Sequence, residues 1–184
     1  MANLCGSLEN NSLGCDENNG GLGGETGRIY IFDWADIVTI EKDEATHYIT
    51  KLDIGTAPKY FELVDDSGSY TDEMTSEPVN QSVQWTQTLN IQRNIRNAVN
   101  SLYFRQLTKG LRYLGIVIVD NNGEIQLMEK AKITAITDGS GTVRTDGSKY
   151  LATFTATNNT SMFFFHPESL ADFIATGEFE YIVS

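Results

Sequence analysis

The chain has 184 residues, enough for one globular domain or for one domain with a tail. Its 25 acidic and 13 basic residues leave a net charge of −12, which excludes a broad basic face of the kind that grips nucleic acid or an anionic membrane surface. No apolar run reaches the ~18–20 residues of a membrane helix, and Met1–Gly6 has neither the charged nor the apolar region of a secretory signal.

Residues 1–27 read as a flexible N-terminal arm. Seven of the sixteen glycines fall here, interleaved with Asn, so the segment buries too little apolar surface to offset its own ordering entropy. Cys15, Gly20, Gly21, Leu22, Gly23 and Gly24 are its candidate inter-subunit residues. The glycine cluster is not a phosphate loop, because no strand precedes it and no Gly-Lys-Ser/Thr follows. Cys5 and Cys15 read as free thiols of a reduced compartment, the alternative being a disulfide that would staple a small N-terminal loop, for which nothing marks the chain as secreted. Only His47 and His166 could join them as ligands, with no metal-site spacing, so neither a metal nor a cofactor is expected.

The domain spans 28–184. Arg28 to Phe32 is β-branched and aromatic on both faces and reads as a buried strand. Asp36 to Ile40, His47 to Asp53 and Lys59 to Val64 read as further strands, with a polar turn at Glu41–Glu44. Asp65 to Glu77 has five carboxylates and no base, and reads as a solvated loop. Asp65, Asp66, Asp72 and Glu73 within it lack the spacing of a calcium-binding loop.

Pro78 to Ile91 alternates most clearly. Val83, Trp85, Leu89 and Ile91 fall on one face, and Ser82, Gln84, Thr86, Thr88 and Asn90 on the other. The period then changes. Ile95, Ala98, Val99, Leu102, Tyr103 and Leu107 recur at helical spacing, which predicts a helix over about 94–108 ending at Gly110. Tyr113 to Asp120 is again apolar on both faces, Asn121-Asn122-Gly123 is a hairpin turn, and strands follow at Ile125–Lys130 and Lys132–Thr137. A short strand at Thr142–Thr145, a longer one at Lys149–Thr157, Phe163–Phe165, a helix at Glu168–Ala175 and a strand at Phe179–Val183 complete the chain. The pattern predicts a mainly β, antiparallel sandwich or half-barrel with one flanking helix, and a core of Trp85, Leu89, Val99, Leu102, Val117 and Phe154.

No catalytic constellation stands out. His47 sits among turn acids, His166 follows three phenylalanines and reads as a packed or capping residue, and no nucleophile elbow or zinc-protease helix occurs. The expectation is a protein that is not an enzyme.

Three segments together resemble a known group. They are Gly14-Cys15-Asp16 with Gly20-Gly21-Leu22 before Arg28–Phe32; Val79–Leu89 leading through the helix to Leu114–Gly123; and Gly141–Ala156. Their order resembles tail tube-like structural proteins of bacteriophages and prophages of Bacteroides-type bacteria, including the ring proteins of crAss-like phage tails. The acidic stretch at 65–77 and the C-terminal helix depart from that pattern. The resemblance implies a virion protein of the phage tail, assembled in the host bacterial cytoplasm. It implies a tail-tube type half-barrel and a homo-oligomeric ring, hexameric or dodecameric, in contact with adjacent tail or portal-associated proteins.

The residues agree with that reading in three respects. Gln84, Thr86, Thr88 and Asn90 form an uncharged polar face suited to a lumen, and the negative charge lets genomic DNA pass without specific binding. The glycine-rich arm suits a strap between subunits. No membrane partner is expected. The other reading is a carbohydrate-binding β-sandwich of a phage fibre or cell-surface protein, in which Trp34 and Trp85 would stack on sugars.

Overall fold

The computed structural model describes residues 28–63, 68–77, 79, 82–94, 96–109, 112–120, 123–140, 148–166 and 168–181. The predicted arm, with Cys15, Gly20, Gly21, Leu22, Gly23 and Gly24, lies outside them, as do the predicted strand at 142–145 and the stop at Gly110.

Continuous apolar runs and short turns build one group of strands. β1 (Arg28–Asp33), β2 (Thr39–Asp43), β3 (Tyr48–Asp53) and β4 (Lys59–Glu62) come first in the chain. β5 (Ser69–Glu77) and β6 (Ser82–Asn94) form a long hairpin, and α1 (Ala98–Thr108) follows. Next are β7 (Leu114–Val119), β8 (Ile125–Gly139), β9 (Lys149–Asn158), β10 (Phe163–Phe165), α2 (Ser169–Thr176) and β11 (Glu178–Glu180).

Among the described residues, eleven strands make one curled, half-barrel sheet because β8 belongs to two layers. Its first half pairs with β7 and β10, and its second half, from Lys132, pairs with β9. Between the halves, Ile116 and Leu114 of β7 face Met128 and Ala131, so β8 holds one extra residue there. Lys130 sits at φ 52°, in the left-handed region, at that bulge. A bulge bends a strand and increases its twist, which turns β8 from one layer into the other. The first layer runs β2–β3–β10–β8–β7–β1–β4, with β11 beside the second half of β3. The second runs β8–β9–β6–β5.

Residue alternation shows where the cores lie. Ile29, Ile31, Leu114, Ile116 and Ile118 of the first layer meet Leu89, Ile91, Tyr150, Ala152 and Phe154 of the second. α1 adds Tyr103, Phe104 and Leu107 to the same core. The intervening residues Phe32, Val117, Ile125 and Leu127 face the other way, into a second core closed by Phe165, Phe173 of α2 and Phe179. The first layer is therefore covered on both faces, which explains its unbroken apolar runs.

Several expectations change. The acidic segment is a strand from Ser69, not a loop, paired residue for residue with β6 over its full length. The helix begins at Ala98, four residues later than predicted, capped by the Asn97 side chain accepting from the Asn100 amide at 2.7 Å. Its inward face is Asn100, Tyr103, Phe104 and Leu107, while Val99 and Leu102 are 70% and 52% exposed. Aromatic volume decides this rotation, since Tyr103 stacks on Phe61 and Phe104 on Tyr150. Val99 and Leu102 thus leave the predicted core and Trp85 is only partly buried, whereas Leu89 and Phe154 are buried in the first core and Val117 in the second. The expected second strand, 36–40, starts as a 3-10 turn (Trp34–Asp36) with the strand itself at Thr39–Asp43, because Asp33 accepts from the Ala35 amide. The two strands predicted after the hairpin turn are the single β8. The sheet is also not wholly antiparallel, since β10 runs parallel to β3, and the helix predicted at Glu168–Ala175 is α2, which flanks the sheet together with α1.

Candidate functional site

The outer face of the second layer is built by period two. Opposite residues in an antiparallel pair share a face, so Thr71–Thr88–Thr155 and Glu73–Thr86–Thr157 form rows across β5, β6 and β9. Ser69, Asn90 and Thr153 form a third row, and Thr75 lies opposite Gln84. All four predicted polar residues, Gln84, Thr86, Thr88 and Asn90, therefore stand on this face, with Gln84 and Asn90 exposed and the two threonines partly covered by their neighbours.

The face is a hydrogen-bonded carpet of hydroxyls and amides. Thr153 Oγ1 donates to Asn90 Oδ1 at 2.8 Å, and Gln92 Nε2 donates to Asn94 Oδ1 at 3.2 Å. Thr134 of β8 bonds the Thr153 carbonyl at 3.2 Å and the Thr155 hydroxyl at 3.1 Å. Charge enters only at its margins among the described residues, as Glu73 and Glu77 on β5, and Lys132 and Lys149 toward β8. Such a surface offers many weak polar contacts, with no fixed charge at its centre to hold an ion.

The opposite face of the same strands holds polar groups that the alternation did not reveal. Gln87 is buried, and its Oε1 accepts from Asn158 Nδ2 at 3.1 Å. Asp72 faces it on β5 and accepts from the Met162 amide at 2.8 Å. Burial pushes the Asp72 carboxyl above its ordinary value, opposed by the hydrogen bonds from Met162 and Gln87. Asp72 and Glu73 thus point to opposite faces and cannot chelate one ion together. Arg93 is buried too. Its guanidinium lies over the Phe61 ring and donates to the Glu62 carbonyl at 2.6 Å, tying β6 to β4. Desolvation lowers its pKa and raises that of the neighbouring Tyr103.

The two histidines do not meet. His47 stacks on Phe163, with Nε2 3.0 Å from the Met162 carbonyl and 2.9 Å from the Ser161 hydroxyl. A carbonyl only accepts, so Nε2 carries the proton and cannot act as the base for Ser161 in this arrangement. Among the described residues no carboxylate bonds Nδ1. His166 stacks on Tyr181 with centroids 4.1 Å apart and accepts from Ser169 through its carbonyl. Trp34 packs against the second core, while Trp85 lies opposite Met74 on the β5–β6 hairpin, so the two stand on different elements. A groove of about 500 Å³ beside α2 is lined by Lys51, Asp53, Asp172, Glu178 and Glu180, with Lys51 paired to Glu180 at 3.2 Å. No cluster of three or more metal-ligating side chains occurs among the described residues, and none of their helices is long and apolar enough to cross a membrane.

Compared with known proteins, the chain matches no family model, and no curated sequence or solved structure matches it significantly.

Proposed function

We propose that this chain is a non-catalytic structural subunit of a bacteriophage tail, assembling with its own copies into a ring or tube segment through which the genome passes. The observation that supports it most is the outer face of β5, β6 and β9, a three-strand hydroxyl and amide surface on a chain of charge −12. Set side by side in a ring, such sheets join into a barrel whose wall repels phosphate and holds no basic residue at its centre. DNA then moves along it without meeting a binding minimum. The sheet has the parts for this, since among the described residues β5 pairs on one edge only and β8 hands the layer over to a doubly covered sheet behind it.

Thr86→Lys with Thr88→Lys tests this reading. Repeated around a ring of six to twelve copies, the change builds a dense basic collar on an otherwise unaltered wall. The assembled variant is expected to retain double-stranded DNA at low salt and release it as salt rises, while the wild-type assembly retains none. Correctly assembled variant particles that ignore DNA would place this face away from the channel.

A further inference from the structure

The second layer has two open edges, on strands of opposite direction. Among the described residues β5 pairs only with β6, so its far edge is open along Ser69–Glu77. The other open edge belongs to β8. β9 leads into β10 through residues 159–162, so both run along one side of β8, and β7 takes the other side only as far as Ala131. Beyond it, over residues 132–139, β8 pairs with β9 alone among the described residues. The side chains there have the exposure of an edge. Thr134, Ala135, Thr137 and Asp138 are exposed, and Ile133 and Ile136 are only partly buried although they face the first core, where Ala152 and Phe154 beside them are buried.

An open edge is a row of amides and carbonyls that templates a further strand. In the order β5, β6, β9, β8 every pairing is antiparallel, so the two outermost strands run in opposite directions. Rotation about a ring axis lays β5 of one copy antiparallel to β8 of the next, and the alternation continues from copy to copy. Pairing of β5 with another β5 across a two-fold axis is disfavoured, because it brings Asp72, Glu73 and Glu77 against the same carboxylates. The outward face of β8 carries no carboxylate over residues 132–139, and Lys132 stands on it above the Tyr113 ring. Joining through β4 or β2 of the first layer would leave each threonine face an island. We infer that neighbouring copies are joined by backbone pairing between residues 69–75 of β5 and 132–139 of β8, so that a second copy of this chain occupies both edges. With full overlap and outward residues kept outward, Thr75 stands opposite Lys132, Glu73 opposite Ala135 and Thr71 opposite Thr137. Glu73 and Glu77 then flank Lys132 on its two diagonals, and the hydroxyl face continues across the joint. This joint rests on the assembly reading above and specifies its strands.

Crosslinking of the full chain tests it, with Cys5→Ser and Cys15→Ser in every form. Directly opposed residues on adjacent strands come within disulfide reach. Glu73→Cys with Ala135→Cys, oxidised after assembly, should give a ladder of covalent multimers on a denaturing gel that stops at the closed ring. Either change alone should leave the chain monomeric on that gel; a dimer from Glu73→Cys alone would mean two-fold pairing through β5 and overturn the joint. Lys132→Glu should raise the concentration needed for assembly by more than about tenfold with little change in thermal melt, and adding Glu73→Lys should restore it. If the wild type assembles while the paired cysteines stay uncrosslinked, or Lys132→Glu assembles as readily, the joint lies elsewhere and the assembly reading survives. A wild type that stays monomeric overturns both.

Discussion

The two layers of the sheet differ in how many faces they bury, and the difference separates the part that holds the fold from the part with a polar surface. The layer containing β1, β7 and β10 is covered on one side by the first core and α1 and on the other by the second core and α2. Its strands are apolar throughout, and their side chains contribute by burial. The layer of β5, β6 and β9 buries one face, and its other face is mainly Thr, Asn and Gln, with Glu73 and Glu77 on the edge strand and Leu151 and Lys149 on β9. That second layer has surface available for partners, whereas the first is committed to holding the fold. On the proposed reading, function belongs on the one-sided layer.

The largest effects should come from the two-sided layer. Phe165 is fully buried among Phe173, Phe179 and Ile49. Phe165→Ala should cost ~3–5 kcal/mol by urea unfolding, from lost transfer energy and the cavity left behind. Thr88→Ala on the outer face should fall within about 0.5 kcal/mol. Comparable losses at both sites would erase the distinction between the layers.

The helix gives the same contrast within one element. Leu107 is buried and Leu102 half-exposed, so Leu107→Ala should cost ~2–5 kcal/mol and Leu102→Ala less than about 0.5 kcal/mol in the isolated subunit. The reverse order would mean that α1 presents its other face to the core.

Gly177 sharpens the account of how α2 is held over the second core. It ends the helix at φ 86°, and a Cβ there would lie 2.1 Å from the Thr56 carbonyl oxygen. Gly177→Ala combines left-handed strain with a backbone clash and should cost ~1–3 kcal/mol by thermal melting. A neutral result would show that the Thr56 loop yields freely.

The smallest expected effect is electrostatic and belongs to the one-sided layer. Desolvation raises the Asp72 carboxyl above its ordinary 3.8, so the folded state binds its proton more readily than the unfolded one. Its contribution is fully present below that ordinary value and is lost as pH rises through the raised one. Asp72→Asn keeps an acceptor for the Met162 amide and removes the titration. Between pH 3 and 6 the variant should therefore lose less stability, or gain more, than the wild type. Identical pH profiles would mean that Asp72 is as well solvated folded as unfolded.

Much of this was legible in the sequence where one residue pattern decides one structure. The alternation through Thr86, Thr88 and Asn90 placed the outer face correctly, and Tyr150, Ala152, Phe154 and Ala156 marked the buried face of β9. The failures have a common cause in long-range partners. Ser69–Glu77 has almost no apolar residues, and its strand is specified by nine cross-strand pairs with β6 that local sequence does not announce. α1 has two overlapping apolar stripes, and only the aromatic stacks with Phe61 and Tyr150 select between them. The bend of β8 rests on Lys130, a residue type with no preference for positive φ, and tertiary packing enforces it. Gln87, Asp72 and Arg93 read as ordinary polar residues until their partners Asn158, Met162 and Glu62 are seen.

Electron microscopy of the assembled full-length chain tests the central claim most directly. The account predicts closed rings or tubes with an open channel, and with Thr86, Thr88 and Asn90 on the channel wall. Solid or irregular particles, or a ring whose channel is lined by α1 or α2 in place of that threonine face, would contradict it.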